Sequence, residues 1–147
     1  TYGHNSVMQM YKVTDKKPTY GPRDQWITAL NAAGATQMKY LKDLMLSRSY
    51  FDRVPDQSVI AGQNGEKYDR LLATRGADYV MVYTYTGRNI TLNMGKIPGD
   101  NVKASWFNPR DGKTTIVGAI TNKGTHVFDP PAEPANGNDW VLILDKI

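Results

Sequence analysis

Apolar residues recur along this chain at two different periods, and the change between them falls near residue 70. Between Ala35 and Arg48, the side chains of Met38, Leu41, Leu44 and Met45 fall at i, i+3, i+6 and i+7, one stripe at helical spacing. Lys39, Lys42 and Asp43 lie off that stripe, with Lys39 placed to pair with Asp43 one turn later. The pattern predicts an amphipathic helix over about 35–48, begun at Gly34 or Thr36 and unable to pass Arg53 because of Pro55. A shorter helical stretch over 25–30 has Asp24 in position to cap it.

From Arg70 onward the period is two. The segment Tyr79–Tyr85 carries bulky residues on both faces, as expected of a strand that is covered on both sides. Thr86-Gly87-Arg88-Asn89 turns the chain into Ile90–Met94, where apolar and polar residues alternate strictly. Further strands are expected at 71–74, 102–107, 114–120, 124–128 and 140–144. Asn108-Pro109-Arg110-Asp111-Gly112 reads as a hairpin connection: Pro109 sets φ, and Gly112 takes the left-handed position. About seven short strands with turns at this spacing predict an antiparallel β-sandwich. Asp129 to Asn138 is a proline-rich loop before the last strand.

The first third is different in kind. Thr1-Tyr2-Gly3-His4-Asn5 is dense in glycine, aromatic and polar residues, and Gly3, Pro18, Gly21 and Pro22 punctuate an ordered, loop-rich connection. A loop plus one helical stripe needs a partner layer to bury against. Residues 1–52 are therefore expected to be the tail of a larger domain, and 53–147 a complete all-β domain. The fold class is mainly β, a sandwich preceded by a loop-plus-helix segment.

Composition narrows the function. Nine Lys/Arg stand against six Asp/Glu up to residue 68, and nine against eight beyond it. Neither part has the concentrated basic face of a nucleic-acid binder, so no nucleic-acid partner is expected. No stretch approaches the length of a membrane-spanning helix. The absence of Cys excludes disulfides, Cys-ligated metal and thiol chemistry. The two histidines, His4 and His126, are far apart in sequence, so no metal site or cofactor is expected.

The motifs taken in order resemble a known family. Thr1-Tyr2-Gly3-His4-Asn5-Ser6 with Gln9-Met10-Tyr11 is similar to the segment after the last barrel strand of the apiosidase-like bacterial glycoside hydrolases. Trp26 with Ala29-Leu30, Gly34-Ala35 with Gln37-Met38, and Ser47-Arg48 continue the match. So do Pro55-Asp56-Gln57, Tyr79 with Val82-Tyr83, Trp106-Phe107-Asn108-Pro109-Arg110 with Gly112, and Asp139-Trp140-Val141-Leu142. One position departs from the family: Met8 stands where a Trp is usual, which removes a flat sugar-stacking surface there. The resemblance implies a catalytic (β/α)8 barrel followed by a small β-sandwich, often labelled a collagen-binding domain. It implies that residues 1–52 are the last loop and helix of the barrel, and that the parent is a secreted or otherwise extracytoplasmic bacterial hydrolase acting on a glycan. Plant pectic side chains or related glycans are the implied substrate class. Its partners would be that glycan and the barrel segment upstream.

Glycoside hydrolysis needs two carboxyl groups flanking the scissile bond, one with a raised pKa. In such a barrel they sit at the C-terminal ends of upstream strands, so no catalytic residue is expected in this chain. Asp52 with Asp56, Asp69 with Asp78, and Glu133 with Asp139 are the nearest local pairs, and all lie in polar turns. Tyr2, His4 and Asn5 are implied to line the substrate site, where Tyr and His offer a ring face and a hydrogen bond and Asn both donor and acceptor. Trp106 and Trp140 are expected in the sandwich core or a domain interface, and Trp26 between tail and sandwich. Tyr79, Met81, Tyr83 and Tyr85 share one face, expected to be buried against the barrel. Two other functions fit the residues: a stand-alone sandwich binding carbohydrate or an extracellular protein, and a structural sandwich with no ligand.

Overall fold

The computed structural model describes residues 4–147, and the apolar stripe near its start does form a helix. Three helices, α1 (Asn5–Met8), α2 (Trp26–Ala29) and α3 (Ala33–Leu46), precede eight strands. The helix α3 begins slightly earlier than the stripe predicts and ends well before Pro55, where the Ser47 hydroxyl donates to the Leu44 carbonyl at 2.6 Å. Asp24 does not cap α2. Gln25 holds the cap position without a side-chain bond, and the first free amide of the helix, that of Trp26, donates to the Tyr11 carbonyl at 2.9 Å. A distant backbone oxygen therefore does what a capping side chain would have done. Lys39 and Asp43 do pair, at 2.7 Å on the exposed face of α3.

The strands are β1 (Val54–Pro55), β2 (Leu72–Arg75), β3 (Tyr79–Thr84), β4 (Ile90–Asn93), β5 (Asn101–Phe107), β6 (Thr114–Thr121), β7 (Thr125–Phe128) and β8 (Trp140–Lys146). Only β1, a two-residue bridge to β2, is additional to the seven expected. The strands form two antiparallel sheets, one of six in the order β1-β2-β3-β8-β5-β6 and one made of β4 and β7. The last strand lies centrally, with Tyr79 opposite Asp145 on one side and Phe107 opposite Val141 on the other. The connection after β5 follows the predicted turn: Gly112 has φ +73°, and its amide donates to the Asn108 carbonyl at 2.8 Å.

Alternation along the strands sorts the side chains into two cores. Val80, Val82, Val102, Ala104, Leu142 and Leu144 point from the large sheet toward Ile90, Leu92 and Phe128 of the small one. Trp106 and Trp140 meet edge to face inside this core, with ring centroids 6.4 Å apart. Burial of one such side chain as completely as Leu142 contributes about 2–3 kcal/mol. The opposite face of the large sheet carries Tyr79, Met81, Phe107, Val141 and Ile143, packed against Tyr40, Leu44 and Met45 of α3. Both faces of β3 are thus covered, and the cover on its outer face is the chain's own helix. Tyr85 leaves the stripe: it lies beyond the end of β3 and packs on Tyr68, with ring centroids 5.2 Å apart.

Candidate functional site

The segment from His4 to Tyr20 is held by a network of amides. His4 is the residue before α1, extended at φ −104° and ψ 119°, and its carbonyl accepts from the amides of Val7 and Met8. The Asn5 side chain donates to the Tyr20 carbonyl at 2.7 Å and accepts from Gln9 Nε2 at 2.7 Å. Gln9 Nε2 also donates to the Thr19 carbonyl at 2.7 Å, while Gln9 Oε1 accepts from the Thr19 amide at 2.9 Å. Asn5 Nδ2 and Oδ1 each make one bond in this network. His4 and Asn5 are half-buried, whereas Met8 is 78% exposed. Tyr2, the third residue expected here, lies outside the described residues.

The carboxylates are placed one by one. Asp56 caps a short 3-10 turn: it accepts from the Ser58 amide at 3.0 Å and hydroxyl at 2.6 Å, and from Arg75 Nε at 2.6 Å. The Ser58 hydroxyl, and after it Arg75, hold the Asp56 carboxyl below the usual carboxylate range, the reverse of what a general acid requires. Asp69 accepts from the Thr86 hydroxyl at 3.2 Å. Asp52, Asp78 and Glu133 are exposed. Among the described residues no cluster of three His, Asp or Glu could hold a metal ion. His126 lies against Phe128 on the small sheet, with ring centroids 5.3 Å apart.

A cleft of about 830 Å³ opens between α3 and the outer face of the large sheet. Met38, Leu41 and Met45 form the helix wall, and Leu72, Met81 and Phe107 belong to the sheet wall. Arg110, Tyr83 and Asp139 make one end polar. Arg110 is fixed by its surroundings. Its amide and Nε both donate to Asn108 Oδ1 at 3.0 Å, and its Nη1 donates to Asn138 Oδ1 at 2.6 Å. The guanidinium lies 5.0 Å from the centroid of the Trp140 ring and 3.7 Å from Asp139. The Tyr83 hydroxyl faces Asp139 at 3.4 Å, and burial together with that carboxylate pushes its phenol up to about 12. Asn108–Gly112 reads as a turn in the sequence, and this role does not show there, because Asn138, Asp139 and Trp140 reach Arg110 from about 30 residues further along the chain. The arrangement suits an apolar surface with one hydrogen-bonding end. A shallower polar depression of about 640 Å³ lies beside Asn89, Asp129 and Glu133.

Fold and cleft together define a two-part chain, a helical segment seated on a β-sandwich. Residues 54–145 match the family described as "Putative collagen-binding domain of a collagenase", and this chain belongs to that family. Residues 1–52 match the model described as "Apiosidase-like, catalytic domain". A solved structure described as a glycoside hydrolase is 51% identical and superposes over 99% of this chain with a TM-score of 0.93. A glycoside hydrolase family 5 protein from Bacteroides vulgatus is 43% identical over 99% of this chain, also with a TM-score of 0.93. The chain spans only 32% of the length of each. No curated protein matches this sequence. Among the described residues no helix is long and apolar enough to cross a membrane.

Proposed function

We propose that this chain is the C-terminal part of an apiosidase-like glycoside hydrolase of an extracytoplasmic bacterial protein. In this reading its first 52 residues complete the catalytic domain and the sandwich braces it. Tyr2, His4 and Asn5 form part of the wall that meets the glycan, while the catalytic carboxylates belong to the rest of the barrel. The observation that carries the reading is the pair of adjacent matches, a catalytic-domain model at 1–52 followed by the sandwich model at 54–145. The amide network supports it, since it holds Asn5 rigidly.

The full reading frame and the 147-residue chain, assayed side by side on plant pectic polysaccharides, test this. Sugar release by the full-length protein alone supports the reading, with Asn5→Ala raising KM. Release by the 147-residue chain alone, or a frame without barrel sequence upstream, overturns it.

A second reading, a carbohydrate-binding sandwich, is favoured by one feature. Tyr68 is 68% exposed and packs on Tyr85 at a tilt of 36°, an aromatic pair available to a sugar ring. Retardation of the chain in glycan-containing gels, abolished by Tyr68→Ala, supports that function, and no retardation on any glycan removes it.

A further inference from the structure

We propose that the cleft between α3 and the large sheet is a docking groove for an apolar element of the remaining catalytic domain. The proposal rests on the preceding reading and adds which surface joins the two parts. One wall of the groove is α3, from the segment that matches a catalytic-domain model, and the other is the sandwich. An element seated there touches both.

Three observations point to this occupant. The walls are apolar yet incompletely covered: Leu41 is 42% exposed and Leu72 50%, although each faces a cleft large enough for several side chains. An apolar groove of this size is commonly an interaction site. The solved relatives are about three times as long as this chain, so the companion polypeptide exists in them. Exposed apolar residues also continue along the N-terminal segment, with Met8 78%, Met10 60%, Ile27 54% and Leu30 46% exposed. These residues lie in the stretch matched to the catalytic domain, which gives the same partner further surface to cover.

The polar end argues against a glycan as occupant. Arg110 is already committed to Asn108, Asn138 and the Trp140 face, and Asp139 to Arg110 and Tyr83. Away from that end Gln37 and Thr74 are the polar side chains among Met, Leu and Phe, too few to satisfy the hydroxyls of a sugar ring. The groove therefore fits a row of two or three large apolar side chains.

Single cysteines placed in this Cys-free stretch give a direct test, read peptide by peptide so that any Cys elsewhere in the full-length protein is scored apart. Leu41→Cys and Val117→Cys are made separately in the full-length protein, and maleimide labelling at each is followed by peptide mass mapping. The two positions are similarly exposed in this chain, 42% and 48%, and Val117 lies on β6, outside the cleft lining. Rates are normalised to those in urea. Docking predicts that position 41 labels at least about tenfold more slowly than 117, and equal rates overturn it. Met38→Cys repeats the measurement if Leu41→Cys does not fold. Sedimentation at the labelling concentration distinguishes a second copy: protection that disappears when a dimer dissociates overturns the proposal. Hydrolase activity is scored separately. An inactive protein with a protected groove keeps the docking and removes the enzyme reading, while an active protein with a freely labelled groove does the opposite.

Discussion

Arg48 and Asp145 meet through both of their forks: Nε donates to Oδ1 and Nη2 to Oδ2, each at 2.6 Å, across 97 residues of sequence. One residue follows α3, and the other lies near the end of the central strand β8. The pair is only about a quarter exposed, so it ties the helix to the sheet in a setting less screened than open surface.

Removing the fork should loosen that seam. Arg48→Ala is expected to cost about 1–2 kcal/mol, because the pair is largely shielded and its loss leaves Asp145 without its cation. The melting temperature should fall by about 3–6 °C, with amide exchange faster in α3 than in β5. Arg48→Lys keeps the charge but not the paired geometry, and should recover less than half of the loss. Thermal melts with exchange measurements check both.

Gly112 and Tyr40 should behave as a coupled pair. At φ +73° any side chain is strained, and a Cβ on Gly112 would lie 2.6 Å from Tyr40 Cδ1. Gly112→Ala is expected to cost about 1–3 kcal/mol. The cost should shrink toward the backbone part alone in a Tyr40→Leu background. Urea unfolding of the four proteins of this cycle measures the difference, and additive losses would contradict the contact.

Asp56 should contribute stability that depends on acid pH in a defined direction. Its carboxyl is held low in the folded protein by Ser58 and then Arg75, so the folded state favours the ionised form. That stability is complete above the ordinary Asp value of about 3.9 and is lost as pH falls through the lower folded value. Asp56→Asn should therefore be less stable than the parent at pH 6, and the gap should narrow below about pH 4. Melts across pH 2.5–6 read the gap, in ~0.5-unit steps chosen to resolve a single titration.

Tyr83 gives the opposite sign at alkaline pH. Burial and the Asp139 carboxylate push its phenol up to about 12, so folding favours the neutral form. The associated stability is present below the ordinary Tyr value of about 10 and disappears as pH rises through the folded value. Tyr83→Phe should flatten the loss of stability between about pH 10 and 12. It should also remove a late-ionising phenol from an ultraviolet titration.

Much of this arrangement was legible from the residues in order. Met38, Leu41, Leu44 and Met45 marked α3, and period-two alternation marked seven of the eight strands, because both patterns are local consequences of backbone geometry. The cap of α2 is not legible locally, since the partner of the Trp26 amide is the Tyr11 carbonyl and not the neighbouring Asp24 side chain. The strand β1 escaped notice because two residues bridging to β2 carry no period. Period-two spacing puts Tyr85 on one face with Tyr79, Met81 and Tyr83, but the strand ends at Thr84 and releases it toward Tyr68. The Arg110 end of the cleft was invisible in sequence for a similar reason, as Asn138 and Asp139 reach it from another loop.

Local pattern decided which segments are helical or extended, where the tight turns fall, and which side of each strand is apolar. Those properties depend on residues within one turn or one pleat of each other. Tertiary structure decided that β8 sits at the centre of a six-stranded sheet, that β4 and β7 stand apart, and that α3 covers the outer face. It also decided that the helix stripe is only partly satisfied by that face, leaving a groove beside Arg110. Such features depend on which distant surfaces meet, and burial free energy is indifferent to separation along the chain.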